Sequence, residues 1–186
     1  VMLSGCTKAA SAPENSETGT VADVPPEKGT VSANPVANPA SDFSYRETED
    51  GGIRINWYLG TDPHVVIPDR IDQKPVVRIG SSAFTACAPV ISVTMPDTVT
   101  VIEEKAFFGC NTLETITFSK SLAEIQAEAF AECDSLRHIR IPASVQTIGN
   151  MAFYNAWVET LEFEDGIRLE TISYLSFSGT ALKRLK

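Results

Sequence analysis

Three observations predict a β-rich α/β solenoid of short coils over residues 67–186 of this 186-residue chain. First, near-copies of one pentapeptide (AFTAC, AFFGC, AFAEC, AFYNA and SFSGT) begin at Ala83, Ala106, Ala129, Ala152 and Ser176, at spacings of 23, 23, 23 and 24 residues. A fixed period of this length marks coils that each bury an apolar edge only against their neighbours. Second, apolar residues occupy positions 1, 4 and 6 of a six-residue run in VISVTM (Val90, Val93, Met95), LETITF (Leu113, Ile116, Phe118), LRHIRI (Leu136, Ile139, Ile141) and VETLEF (Val158, Leu161, Phe163). Third, a second apolar pair follows each run: Val99 and Ile102, Leu122 and Ile125, Val145 and Ile148.

Each part of the coil has a local reason. The last apolar residues of each run alternate with exposed ones, as in a half-buried strand. A turn follows, with Pro96 and Pro142 in two copies; proline suits a corner and cannot sit inside a ladder. The segment ending in Ala-Phe is too short for an independent helix and is expected to form one helical turn on the convex side. Phe84, Phe107, Phe130, Phe153 and Phe177 are expected to stack into one spine. The alanine before four of them lets neighbouring coils lie close.

The unit resembles the BspA-like leucine-rich repeat, also called the Treponema pallidum type, on IPASVQTIGNMAFYNA from Ile141 and MPDTVTVIEEKAFFGC from Met95. The resemblance covers residues 67–186. It implies a right-handed leucine-rich repeat solenoid with a parallel concave sheet, short convex turns or strands, and an N-terminal β-hairpin cap. The chain departs from the pattern at Ser119 and Glu164 (proline position), at Ala156 and Thr180 (cysteine position), and by a slip around Trp157.

Upstream, residues 42–66 read as the capping hairpin. Phe43 and Tyr45 alternate with polar neighbours, as do Ile53, Ile55 and Trp57, and Asp50-Gly51-Gly52 supplies the turn. The first coil, IPDRIDQKPVVRIG, is longer than the others, with a corner expected at Lys74-Pro75. Residues 7–41 carry Pro13, Pro25, Pro26, Pro35 and Pro39 and no aromatic residue. Such a composition buries too little to offset ordering entropy, so a disordered linker is expected. Within residues 1–6, Leu3-Ser4-Gly5-Cys6 resembles the bacterial lipobox, which implies a diacylglyceryl anchor on Cys6. At the other end, ALKRLK stops within an expected strand, so the last coil is read as incomplete and the natural chain as longer.

The net charge of −9 and the lack of a basic stripe argue against nucleic acid as partner. No run approaches the roughly 18 apolar residues of a membrane helix, so the lipid is the only expected membrane contact. Cys87, Cys110 and Cys133 fall at one position of consecutive coils. Ladder side chains run parallel, which suits neither a convergent zinc site nor disulfide geometry; they are expected buried, reduced and metal-free. The two histidines, His64 and His138, have no nucleophile and acid at any sensible spacing. No cofactor and no enzymatic activity are expected.

The exposed strand positions form rows from coil to coil: Ile91, Glu114, Arg137, Glu159 and Lys183 at position 2; Ser92, Thr115, His138, Thr160 and Arg184 at position 3; Thr94, Thr117, Arg140, Glu162 and Lys186 at position 5. Strands about 4.8 Å apart let alternating charges pair, so one reading is a self-neutralising ladder. The other is a polar binding face of Thr115, Thr117, Arg137, His138, Arg140, Thr160 and Glu162 on the concave side. Phe108 and Tyr154 mark a second, convex candidate patch, while Trp157 is expected to fill a packing defect and Tyr174 is a further odd aromatic. The functional expectation is an exported, lipid-anchored bacterial surface lipoprotein that binds a protein or surface polymer. The alternative is a stalk or accessory domain of a larger surface protein or enzyme that continues past residue 186.

Overall fold

The computed structural model describes residues 36–87 and 89–186, so the Cys6 anchor and most of the linker lie outside the described residues. Fourteen strands carry the described fold. The hairpin contributes β1 (Phe43–Glu47) and β2 (Ile53–Tyr58). The first coil contributes β3 (His64–Val66), β4 (Arg70–Ile71) and β5 (Lys74–Ile79). Each later coil adds a first and a second strand. These are β6 (Ser92–Thr94) and β7 (Val101–Ile102), β8 (Thr115–Thr117) and β9 (Glu124–Ile125), then β10 (His138–Ile141) and β11 (Thr147–Ile148). The last are β12 (Thr160–Phe163), β13 (Thr171–Ile172) and β14 (Arg184–Leu185).

The second strands pair in parallel and continue the hairpin into one long sheet, ordered β1-β2-β5-β7-β9-β11-β13, in which β1 is antiparallel to β2 and β4 antiparallel to β5. The first strands form two parallel sheets, β3-β6-β8 and β10-β12-β14. The solenoid expectation therefore holds, with a division between β8 and β10 that the repeat pattern does not announce. Ile116 on β8 is only partly buried, whereas its equivalents Val93, Ile139 and Leu161 are 1%, 1% and 3% exposed.

The expected convex helical turn is not a helix. The only helical element among the described residues is a three-residue 3-10 turn, Ala40–Asp42. Each Ala-Phe pair, and Ser176-Phe177 in the last coil, is instead bracketed by two left-handed residues four apart: Ser82 and Ala86, Lys105 and Gly109, Glu128 and Glu132, Met151 and Asn155, Leu175 and Gly179. A left-handed conformation costs a non-glycine residue roughly 1–2 kcal/mol. The hydrogen bonds offset it. The N–H groups of Lys105, Phe107 and Gly109 donate to Ala127, Ala129 and Ala131 of the next coil at 2.8–3.0 Å, while those of Ala106, Phe108 and Cys110 turn back to Glu103, Lys105 and Phe107. A helix would spend all six within its own coil and leave the neighbouring coil unpaired.

The phenylalanine spine is present, with Phe84, Phe107, Phe130, Phe153 and Phe177 stacked at centroid separations of 4.8, 5.0, 5.2 and 5.1 Å. The hairpin extends it: Tyr58 stacks on Phe84 at 5.4 Å, and Phe43 tilts against Tyr58 at 5.5 Å. Tyr58 rather than Trp57 faces inward because the β1–β2 register shifts between Ser44 and Tyr45. The extra residue, Asn56, reverses the alternation beyond it and leaves Trp57 54% exposed. The corner expected at Lys74-Pro75 is a tight β4–β5 turn with left-handed Asp72 and Gln73. The linker expected to reach residue 41 ends sooner: Asn38 exchanges hydrogen bonds with Val66, its N–H reaching Val66 O at 2.8 Å and its Oδ1 accepting from Val66 N at 2.7 Å. A polar side chain able to satisfy two strand groups joins the fold despite its proline-rich surroundings.

The departures from the repeat pattern are satisfied locally. Ser119 Oγ accepts from Ser121 N at 3.0 Å where other coils place proline. Glu164 replaces proline and accepts from Ala143 N at 3.3 Å. Ser176 stands in the spine alanine position and donates to Gly149 O at 3.0 Å.

Candidate functional site: the first-strand face

The first strands present their exposed positions on one side of the coils. In β10-β12-β14 the register aligns His138 with Thr160 and Arg184, and Arg140 with Glu162. Five of the concave candidates, Arg137, His138, Arg140, Thr160 and Glu162, thus share this sheet. Thr115 and Thr117 lie on β8, beside Ser92 and Thr94 in the other sheet, and Ser92 Oγ contacts His64 Nδ1 at 2.9 Å.

Glu159 is the hub of the charged half. Its two carboxylate oxygens meet Arg137 at 3.2 Å and Lys183 at 3.1 Å, and Trp157 Nε1 donates to it at 3.2 Å. The hydrogen bond from Lys183, then that from Trp157, holds its carboxyl below the ordinary glutamate value. Glu162 is held down in the same way by Lys186, 2.8 Å away. The charge ladder is therefore real in this half, with two changes. Arg140 pairs with Glu164 at 3.1 Å rather than with Glu162, because Glu164 has moved into the vacated proline corner. Glu114 makes no ion pair among the described residues, since its row is cut between β8 and β10.

Trp157 overturns the packing expectation. Its ring is 49% exposed, and the Arg137 guanidinium carbon lies 5.1 Å from its centroid. The one-residue deletion before Val158 places it two residues from Glu159, at the rim of this face. That deletion is the signal by which sequence alone points to it. Phe108 and Tyr154 are half-buried beside the spine, and Tyr174 is 74% exposed.

The cysteine ladder belongs to the core. The thiols of Cys110 and Cys133 donate to Phe84 O at 2.8 Å and Phe107 O at 3.2 Å. Burial pushes the Cys110 thiol up to about 12 and the Cys133 thiol well above its ordinary value. Neither is therefore a thiolate at neutral pH. Both are free, and Cys87, at the same position of the preceding coil, is buried at 3% exposure. Among the described residues no group of three or more His, Cys, Asp or Glu side chains is placed to hold a metal ion. No helix among them is long and apolar enough to cross a membrane.

The repeat, its two strand layers and its stacked phenylalanines define a leucine-rich repeat solenoid. The BspA type leucine rich repeat region matches residues 74–186 in six copies, and the chain belongs to that family. It is similar to the crystal structure of the Treponema pallidum leucine rich repeat protein (28% identity, TM-score 0.61, 81% of each chain covered). It is also similar to a leucine rich cell surface protein from Faecalibacterium prausnitzii (32% identity, TM-score 0.67), covering 76% of this chain and 37% of that one. A leucine-rich repeat protein from Bacteroides capillosus is 31% identical, with TM-score 0.62, 68% of this chain and 97% of that one covered. No curated protein matches the chain.

Proposed function

We propose that this chain is the binding domain of an exported bacterial surface lipoprotein. Cys6 carries the lipid, the residues after it act as a tether, and the concave face holds a protein or surface polymer without catalysis. The observation that carries this reading is the Arg137–Trp157–Glu159–Lys183 cluster. It combines a half-exposed indole, a guanidinium stacked on it and fixed charges on a rigid sheet. Exposed aromatic and arginine side chains of this kind are the usual anchors of protein interfaces. The description of the F. prausnitzii protein as a cell surface protein supports the location.

The alternative, a stalk or accessory domain of a larger surface protein or enzyme, is favoured by one observation: the chain spans only 37% of that relative.

Charge reversal tests the two readings. Arg137→Glu and Arg140→Glu, measured in the intact anchored protein, are expected to abolish cell or surface-ligand binding while the melting temperature changes little, since each exposed ion pair contributes at most about 1 kcal/mol. Phe108→Ala and Tyr154→Ala serve as convex controls. Loss of binding only in the controls would refute the concave site, and loss in neither set would favour the stalk. Cys6→Ala should release the protein from the membrane fraction.

A further inference from the structure

The geometry points to a second binding site, for an oxyanion-bearing ligand, on the long second-strand sheet near the hairpin. The β1–β2 register sets Arg46 opposite Arg54, and the β2–β5 register sets Arg54 opposite Arg78. Three arginines thus lie in one row across three neighbouring strands of a chain whose net charge is −9. Like charges directly opposite each other destabilise a sheet, so the row needs counter-charge.

Only the middle arginine is directly paired, and Arg78 feels the same Glu103 carboxylate through space alone. Arg54 Nε donates to both Glu103 oxygens at 2.9 and 3.0 Å, and Nη2 donates to Oε2 at 2.6 Å; Nη1 is held by Asn56 Oδ1. Gly80 makes this reach possible: a Cβ there would lie 2.4 Å from Arg54 Nη1. Among the described residues, the guanidiniums of Arg46 and Arg78 make no hydrogen bond or ion pair. Glu47 is engaged by Lys74 instead.

All three arginines line one groove of about 420 Å³ together with four carboxylates: Glu103, held by Arg54, Glu47, held by Lys74, and Glu49 and Asp50 of the hairpin turn. The volume lies within the usual size of small-molecule sites, roughly 300–1,000 Å³. It suits an organic unit better than a bare ion. Arginine forks bind carboxylate, sulfate and phosphate with two parallel hydrogen bonds. Arg46 and Arg78, spaced by a fixed Arg54, supply two such forks. The Glu49 and Asp50 carboxylates repel a second negative charge and accept from hydroxyl or amine groups. The ligand is therefore one with an anionic end and a hydrogen-bond-donating end, either free or displayed on a polymer.

The test is titration of the full chain at constant ionic strength with inorganic phosphate, inorganic sulfate and a uronic-acid oligosaccharide, followed by calorimetry, with sodium chloride as control. Saturable one-site binding is expected for at least one probe and not for chloride. Binding by the inorganic ions marks a free oxyanion as sufficient, and binding by the oligosaccharide alone marks a displayed one. Arg46→Gln and Arg78→Gln should each weaken binding at least tenfold with the melting temperature retained, while Lys120→Gln, at an exposed residue outside both sites, leaves it unchanged. No saturable binding by any probe, or affinity indifferent to both glutamine variants, would overturn the site.

Discussion

The two halves of the first-strand face share a backbone and differ in chemistry. On β3-β6-β8 the outward residues are His64, Ser92, Thr94, Thr115 and Thr117, and among the described residues the side-chain link between these strands is His64 to Ser92. On β10-β12-β14 most of them are charged, His138 and Thr160 apart, and they are tied across strands through Glu159 and Glu162. The N-terminal half is tied elsewhere, on the other sheet, by the Arg54–Glu103 pair, whose side chains are 13% and 17% exposed. The same repeat is thus cross-linked by a shielded pair at one end and by an exposed ladder at the other. Only the shielded pair escapes most of the screening that weakens surface charges. Apolar positions must repeat to bury each coil against the next, whereas the outward positions are free to differ.

The largest expected effect tests whether the halves are one folding unit. Phe130 lies in the coil between β8 and β10, stacks on Phe107 and Phe153, and meets Phe118 edge-on at 5.6 Å. Phe130→Ala should cost about 3–5 kcal/mol, the range for a buried phenylalanine, measured by denaturant unfolding. Phe177→Ala should cost less, since Phe177 is only partly buried and stacks on a single ring. If the spine couples the halves, the variant keeps one transition; two transitions would show that the break in the first-strand ladder divides the fold.

The next effect contrasts the two kinds of cross-link. Burial raises the Glu103 pKa, but the hydrogen bonds and charge of Arg54 outweigh it, and the net shift is downward. A lowered folded value means that the pair stabilises above the ordinary glutamate range and loses that contribution as the pH falls through the lowered value. Arg54→Ala should cost about 1.5–3 kcal/mol at neutral pH, as expected for hydrogen bonds to a charged group, and the deficit relative to wild type should shrink in acid. A deficit independent of pH would assign the loss to packing alone.

The smallest effect concerns a device common to both halves. Glu132 holds φ at +59° where the preceding coil has Gly109 at +67°. Glu132→Gly should stabilise by up to about 1 kcal/mol, and Gly109→Ala should destabilise by about the same. Thermal melts of the two variants check the signs; equal signs would mean that side-chain contacts, not backbone conformation, dominate these turns.

Much of this was legible in the sequence because a solenoid writes its tertiary contacts into its period. Residues 23 apart are spatial neighbours, so the phenylalanine spine, the two apolar strands per coil and the buried cysteine positions follow from counting. The rows at positions 2, 3 and 5 were legible for the same reason, including Arg137 beside Glu159 and Glu159 beside Lys183. Tertiary structure decided whatever does not obey the period. The Arg46–Arg54–Arg78 row depends on a hairpin register that shifts at Ser44/Tyr45 and again at Ile53/Arg54, and Arg54 meets a carboxylate 49 residues away. The left-handed residues around each Ala-Phe pair are of many types, Lys, Glu, Met and Leu among them, and carry no common local signal. They adopt that conformation because alternate N–H groups must reach the next coil, a demand that exists only once the coils are stacked.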